Sequence, residues 1–413
     1  MPRIPCILLL ASLLTLGVAP IKPLYAATII TVTTFNDELN TDGDCSLREA
    51  IRAANLDVSV DGCPAGSADD SIRLSAGTYM LAIVGQSEDA ALTGDLDLSG
   101  AGHLAIQGAG ASTTIVDGGN IDRVFDIVGA TSSAVLSNLT IQNGQVPSGQ
   151  GSGGIRNVGT LTLDRAIIQH NRANGSTSND IGGGICNGCG PGTGTLTLLN
   201  SIVSGNTADR GGGIFSNATL IITGSSIISN TARSGGGLMN YASASGSATL
   251  SSSTVSGNTA TNGVAGISQE NGAISITSST ISGNVGTVGG FYHGGGASTL
   301  RNTMIANNGP GTDCLLFAPI TSSGHNLSSD STCGLTAGGD LQNTNPLLGP
   351  LANNGGPTPT HALLPGSSAF DAGTNTGCPA TDQRGITRPQ GMRCDIGAFE
   401  RVVLTVFMPV VVR

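Results

Sequence analysis

Carboxylates are scarce where this chain is most regular: between residues 166 and 300 they are Asp180, Asp209 and Glu270. Cleaving a glycosidic bond by acid–base chemistry needs two carboxyl groups within reach of one bond, and this spacing supplies one at a time. Asp209 lies three residues after Asn206, and Arg233 three after Asn230. That shared offset predicts an exposed ion pair between neighbouring turns of the chain. The sharper alternative makes Asp209 an acid or metal group and Arg210 or Arg233 the base, with His293 nearby. The five histidines, His103, His170, His293, His325 and His361, are scattered and none has metal-ligand spacing.

A second cluster of chemistry-bearing residues lies earlier. Glu38, Asn40, Asp42, Gly43, Asp44 and Glu49 fall at positions 1, 3, 5, 6, 7 and 12 of a calcium-binding loop. Hard cations favour such clustered oxygens, so Asn40, Asp42, Asp44 and Glu49 are the candidate calcium ligands. The competing reading is an acidic turn, because no helix precedes the loop and Glu49 is also placed to cap the helix that follows. No other cofactor is expected. Eight cysteines beyond the N-terminal region fall into neighbouring pairs: Cys45 with Cys63, Cys186 with Cys189, Cys314 with Cys333 and Cys378 with Cys394. An even, locally paired set in an exported chain reads as disulfides. The CNGC at 186–189 lacks the second CxxC or His pair that a metal site needs, so it reads as a loop staple.

These groups are positioned by a repeat. In GGGIFSNATLIITGSSIISN, residues 211–230, a Gly-Gly step precedes a bulky apolar residue. Close variants return at Ile155, Ile185, Ile214, Leu238, Ile267 and Phe291, 24 to 30 residues apart. A second mark, an Asn trailing an apolar residue, recurs at Asn143, Asn171, Asn206, Asn230, Asn258, Asn284 and Asn308. Two marks with one period describe a coil stacked on itself, each turn unable to bury its apolar face alone. Strand alternation then assigns faces. The Ile155 series points inward. The next residue, Arg156, Cys186, Phe215, Met239, Ser268 and Tyr292, points outward. The third, Asn157, Asn187, Ser216, Asn240, Gln269 and His293, forms a polar ladder in which stacked amides bond along the axis. On the outward column Phe215, Met239 and Tyr292 are a candidate stripe for stacking on sugar rings or a partner surface; an ordinary exposed strand face is the plainer reading.

Composition fits a thin core: 63 Gly in 413 residues, 3% aromatics and no Trp. The formal charge of −10 argues against a nucleic-acid partner, which needs clustered cations. The single lysine, Lys22, lies in a leader. Residues 1–26 read as a signal peptide, with Arg3, an apolar run from Ile7 to Val18 and a cleavage site after Ala26. That run is too short to span a bilayer, and Cys6 leaves with it. The mature chain is therefore expected to have no transmembrane span and no lysine chemistry.

Residues 27–75 are expected to form an N-terminal cap. Ser46 and Glu49 make a capping box, and Leu47, Ala50, Ile51 and Ala54 share one helix face. CSLREAIRAAN, at 45–55, resembles the CSLREA-type N-terminal domain of exported bacterial proteins, which implies export and architecture and no activity. Residues 76–342 are expected to be the solenoid, beginning with irregular coils through SIRLSAGTYML, LTGDLDLSG, HLAIQGAG, STTIVDGGNIDRVFDI and AVLSNLTIQNG. The GGGI pattern resembles right-handed parallel β-helices of the pectin-lyase-like superfamily and the repeats of polymorphic outer membrane proteins. That resemblance implies an all-β, right-handed parallel β-helix with a short N-terminal capping helix, in a superfamily of lyases, hydrolases, adhesins and structural spines. Its lyases gather several acids, often with calcium, beside a basic residue, and the regular coils here offer too few acids for that. Residues 343–400 resemble the C-terminal region of choice-of-anchor proteins. The tail at 401–413 is apolar but too short to cross a membrane, and self-export through a C-terminal barrel is not expected.

The function these features imply is that of an exported, monomeric, non-catalytic, adhesin-like protein of the cell surface, outer membrane or extracellular space, acting in adhesion or envelope structure. Its expected partner is a surface polysaccharide or another envelope component. The alternative is a polysaccharide lyase or glycoside hydrolase.

Overall fold

The computed structural model describes residues 28–86, 88–100, 102–190, 194–242 and 246–402. The leader at 1–26, with Cys6 and Lys22, and the tail from residue 403 lie outside the described residues.

One turn shows how local sequence makes a coil. Thr219–Thr223, Ser226–Ile228, Thr231–Ser234 and Leu238–Asn240 are short strands, and the chain then re-enters the first sheet at Ser247–Ser251. Each strand pairs in parallel with its counterpart in the next turn. Stacked turns thereby build sheets of eleven, ten, nine and five strands, a parallel β-solenoid. The corners are sharp because single residues take left-handed backbone: Gly224 has φ 63° and its counterpart Ser252 φ 45°, which costs Gly least. The Gly-Gly step is required by close approach. A Cβ on Gly212 would meet the Thr231 carbonyl at 2.4 Å, and one on Gly213 the Gly237 carbonyl at 2.6 Å, so one turn lies directly on the backbone of the next.

The inner column forms as expected. Ile155, Ile185, Ile214, Leu238, Ile267 and Phe291 are stacked in register and fully buried. On the polar column Asn157 donates to Asn187 at 2.8 Å, Asn187 to Ser216 at 3.1 Å and Asn240 to Gln269 at 2.6 Å. The asparagine marks make a longer ladder. Nδ2 of Asn171, Asn206, Asn230, Asn258 and Asn284 each donates to the next Oδ1 at 2.9–3.1 Å. Asn143 is not on it: Gly144 stands opposite Asn171 and donates its amide to Asn171 Oδ1 at 2.9 Å. A hydroxyl ladder not foreseen lines the adjacent corner, where the amides of Ser201, Ser225 and Ser253 donate to the next Ser Oγ.

Two expectations change. The eleven-stranded sheet starts at Thr28–Thr31, paired with Asp69–Arg73, so residues 27–75 are not a separate cap; the helix Leu47–Leu56 is inserted between the first two strands of the solenoid itself. The outward stripe is not a surface: Phe215 is 6% exposed and Met239 2%. The glycine corner folds back onto this column, with Gly211 against the Phe215 Cβ and Gly235 against that of Met239. Phe215, Met239 and Cys186 there form a satellite cluster with Ile181 and Cys189; Tyr292 alone of the three is partly exposed. Residues 343–402, set apart from the repeat in the sequence, do not continue the stack. They carry an antiparallel hairpin, Leu348–Ala352 with Thr360–Leu363, and lie back along the ten-stranded sheet as a latch. Gln383 accepts from Thr254 Oγ1 at 2.6 Å and donates to Ser226 Oγ at 2.8 Å, while Met304 and Leu327 pack with Leu363, Ile396 and Phe399.

Candidate functional site

The helix Leu47–Leu56 organises the N-terminal acids. Ser46 and Glu49 form the reciprocal capping box, and Glu49 also accepts from the Asn40 amide at 3.2 Å. Arg48 is fully buried and paired with Asp37 at 2.6 Å, and it donates to the Gly94 and Asp95 carbonyls at 2.8 and 3.1 Å. This ties the helix to the following coil. Of the candidate calcium ligands, Asp42 and Asp44 come together with Glu38, and Asp44 also with Glu49 and Asp61, each trio within 4.8 Å. Asn40 turns its amide nitrogen to Glu38 and Asp42 at 3.0 and 3.1 Å. Glu38 Oε1 and Asp44 Oδ1 have no partner. Desolvation and then the neighbouring acids raise Asp44 above the usual carboxylate range, whereas the Asp44 amide lowers Asp42. Asp61 is the member of these two trios that spacing did not reveal.

A second gathering of acids was missed. Asp97 and Asp126 are paired opposite one another, with Arg156 opposite Asp126 on the next turn. Arg123 Nη1 reaches Asp95 at 3.2 Å and Asp126 at 2.8 Å, and Arg156 Nε reaches Asp126 at 2.9 Å. Burial pushes Asp97 up to about 9, helped by Asp95; it pushes Asp95 to about 7 against the pull of Arg123. The signal was the apolar–Asp–apolar triplet in LDL at 96–98 and FDI at 125–127, aligned with IRN at 155–157. The glycine marks that reveal register later in the chain are absent here. Chemically this is the one place among the described residues where buried carboxylates and guanidiniums converge on neighbouring coils. It is closed, since Asp97 and Asp126 are 0% exposed.

The residues weighed on the regular coils are held in local contacts. Arg233 meets Asp209 through two bonds of 2.9 Å, the expected ion pair, with the carboxylate buried and the guanidinium half-exposed. His293 is buried, which lowers its pKa, and its Nδ1 bonds Ser298 Oγ at 2.8 Å. Arg210 lies over the rings of Phe215 and Tyr241, 5.8 and 5.2 Å from their centroids. All four expected cysteine pairs are disulfides.

An open groove of ≈ 660 Å³ follows the corner between the nine- and eleven-stranded sheets. It is lined by small residues of successive coils, among them Ala273, Gly296 and Ala297, and by Asn217, Tyr241 and Asn271. Tyr241 is 42% exposed, its ring stacked on Phe215 at 6.2 Å. Tyr241, two positions beyond Met239, is a single exposed aromatic with Phe215 beside its ring, and the predicted stripe is not formed.

No family model matches this chain, and no curated protein matches it; the CSLREA-type and choice-of-anchor resemblances rest on their motifs. Among solved structures, a crystal structure of pectate lyase Pel9A aligns with 91% of this chain and 96% of its own, at a TM-score of 0.44 and 16% identity. The class of protein, a parallel β-solenoid, is given by the strand pairing itself.

Proposed function

We propose that this is an exported, non-catalytic β-solenoid of the cell surface or extracellular space that binds a neutral polysaccharide along the Tyr241 groove, in adhesion or envelope structure. The observation that carries the reading is the groove's chemistry: a half-exposed aromatic ring beside two carboxamides, with no charged side chain among the described lining residues and the Arg210 guanidinium 5.2 Å from the ring centroid. Sugar rings offer apolar faces to an aromatic ring and hydroxyls to amides. Four disulfides support an oxidising, extracellular setting.

Cleavage of a polysaccharide is the second reading, favoured by the meeting of Asp97, Asp126 and Arg156, and opposed by the burial of both carboxylates. One experiment addresses both. The purified protein is incubated with neutral and acidic polysaccharides, with and without calcium, and both retention and products are measured. Retention of a neutral polymer without new reducing ends or unsaturated products is expected. Tyr241→Ala should weaken it roughly five-fold, the worth of about 1 kcal/mol for an aromatic contact. Released products would replace this reading with the enzymatic one, and retention indifferent to Tyr241 would remove the groove from it.

A further inference from the structure

A carboxylate oxygen from each of Asp89, Asp97 and Asp126 lies within 4.8 Å of the other two. Oxygens bound to one calcium ion lie up to about 5 Å apart, twice a bond of about 2.4 Å, so one ion can reach all three. Proximity alone would not make a site, and the second observation comes from Asp97. This residue is 0% exposed; its Oδ2 accepts the Ala91 amide at 2.7 Å, and its Oδ1, equally buried, has no hydrogen-bond partner. A buried carboxylate oxygen left unpaired is strongly unfavourable. The charged groups that face Asp97 are those of Asp95, Asp126 and Glu88, all of them carboxyl groups.

The surrounding charge does not balance. Asp89, Asp95, Asp97, Asp122 and Asp126 are set against Arg123 and Arg156; both guanidiniums are engaged with Asp126, Arg123 also with Asp95 at 3.2 Å and Arg156 also with Asp89 at 3.6 Å, and neither reaches Asp97. A carboxylate offers about four lone-pair positions, so Asp126 retains capacity beyond those bonds. Glu88 is already held by the amides of Ala90, Leu92 and Thr93 at 2.7–3.0 Å, which wraps residues 88–93 around the cluster. An all-oxygen, negatively charged donor set suits a hard divalent cation of the calcium type.

We propose that Asp89, Asp97 and Asp126 bind a calcium-type divalent cation that pins the segment 88–97 to the strand Phe125–Ile127 of the next coil. The role is structural, stitching one turn to another, and it does not depend on the polysaccharide reading. Asp89 is exposed, with 64% of its side chain accessible, and provides the entry path.

The test is hydrogen exchange of the full disulfide-bonded protein with and without calcium chloride, read on peptides covering residues 88–98. Calcium is expected to slow exchange of the Ala90, Ala91, Leu92 and Thr93 amides. Asp89→Asn and Asp97→Asn should each reduce that protection about ten-fold or more through loss of a charged ligand. Asp42→Asn, in the separate N-terminal acidic loop, should leave it in place. Asp89→Asn lies on the surface and keeps the test open should Asp97→Asn fail to fold. A wild-type peptide indifferent to calcium, or responsive to pH alone, would overturn the proposal in favour of a proton held on Asp97. A calcium effect unchanged in both variants, or abolished only by Asp42→Asn, would overturn it in favour of the other acidic loop.

Discussion

Asn258 uses both ends of its carboxamide inside the stack. Its Oδ1 accepts from the amide and the Nδ2 of Asn230, both at 3.0 Å, and its Nδ2 donates to Asn284 at 2.9 Å and to the Ile227 carbonyl at 3.0 Å. Removing it strands partners on both sides in a fully buried position, and each orphaned polar group costs about 1–3 kcal/mol. Asn258→Ala is therefore expected to lower stability by about 3 kcal/mol or more, read as a shift of the urea midpoint. Thr249→Ala, on an exposed strand position, should stay within about 0.5 kcal/mol, and equal effects would deny the ladder its role. Arg48 poses the same question with charge. Its guanidinium is buried against Asp37, which also accepts from the Ala82 and Ile83 amides at 2.7 and 3.0 Å. Asp37→Ala leaves a buried cation unpaired and is expected to cost about 3–5 kcal/mol, with exchange of the helix Leu47–Leu56 rising first.

The latch joins elements far apart in sequence, and its pH response follows from His361. Nδ1 of this ring bonds the Gly349 carbonyl at 2.8 Å and so carries the proton; Nε2, 2.9 Å from Ser256 Oγ, then accepts from that hydroxyl. Burial holds the pKa of His361 below its ordinary value, with the Gly349 bond pulling the other way. A depressed base is protonated more readily in the unfolded chain, so its contribution is present above the usual histidine pKa and is lost as pH falls below about 6.5. Asp395, pushed to about 7 by burial against two backbone amides, has the opposite sign, its contribution fading as pH rises. Comparison with His361→Gln isolates the histidine. The stability advantage of wild type should narrow below pH 6.5 by up to about 1.4 kcal/mol per pH unit, and a constant difference would count against the contact. None of this was legible in spacing. Ser226, Thr254, Ser256 and Thr280 carry no mark in the repeat, and their partners are more than 100 residues away in sequence. The inner column and asparagine ladder were legible because each residue contacts its own repeat. The face of Phe215 was misread because alternation holds along a strand and fails where a glycine corner folds over it. Asp97 and Asp126 escaped because the early coils carry their register in apolar triplets, without glycine marks.

In a stacked solenoid each turn is secured by its neighbours, so the two ends are the weak points of the whole molecule. This chain places a disulfide at each. Cys45–Cys63 closes the loop that carries the helix, and Cys314–Cys333 closes the last coil. All four sulfurs belong to the single hydrophobic core that runs from Ile30 to Leu335. By contrast, Cys186–Cys189 spans a separation of 3 residues beside mid-solenoid coils that are already paired on both sides. A bridge closing about 18 residues is worth roughly 3 kcal/mol, enough to decide whether an end turn frays and too little to dissolve the ladders between. Reduction and alkylation are therefore expected to raise hydrogen exchange in residues 28–66 and 312–335 while strands from Thr195–Leu199 to Thr280–Ser282 keep their protection. The loss should advance inward turn by turn as denaturant is added. Uniform loss of protection along the stack on reduction would show instead that the coils unfold as one cooperative block, with the disulfides acting on the whole.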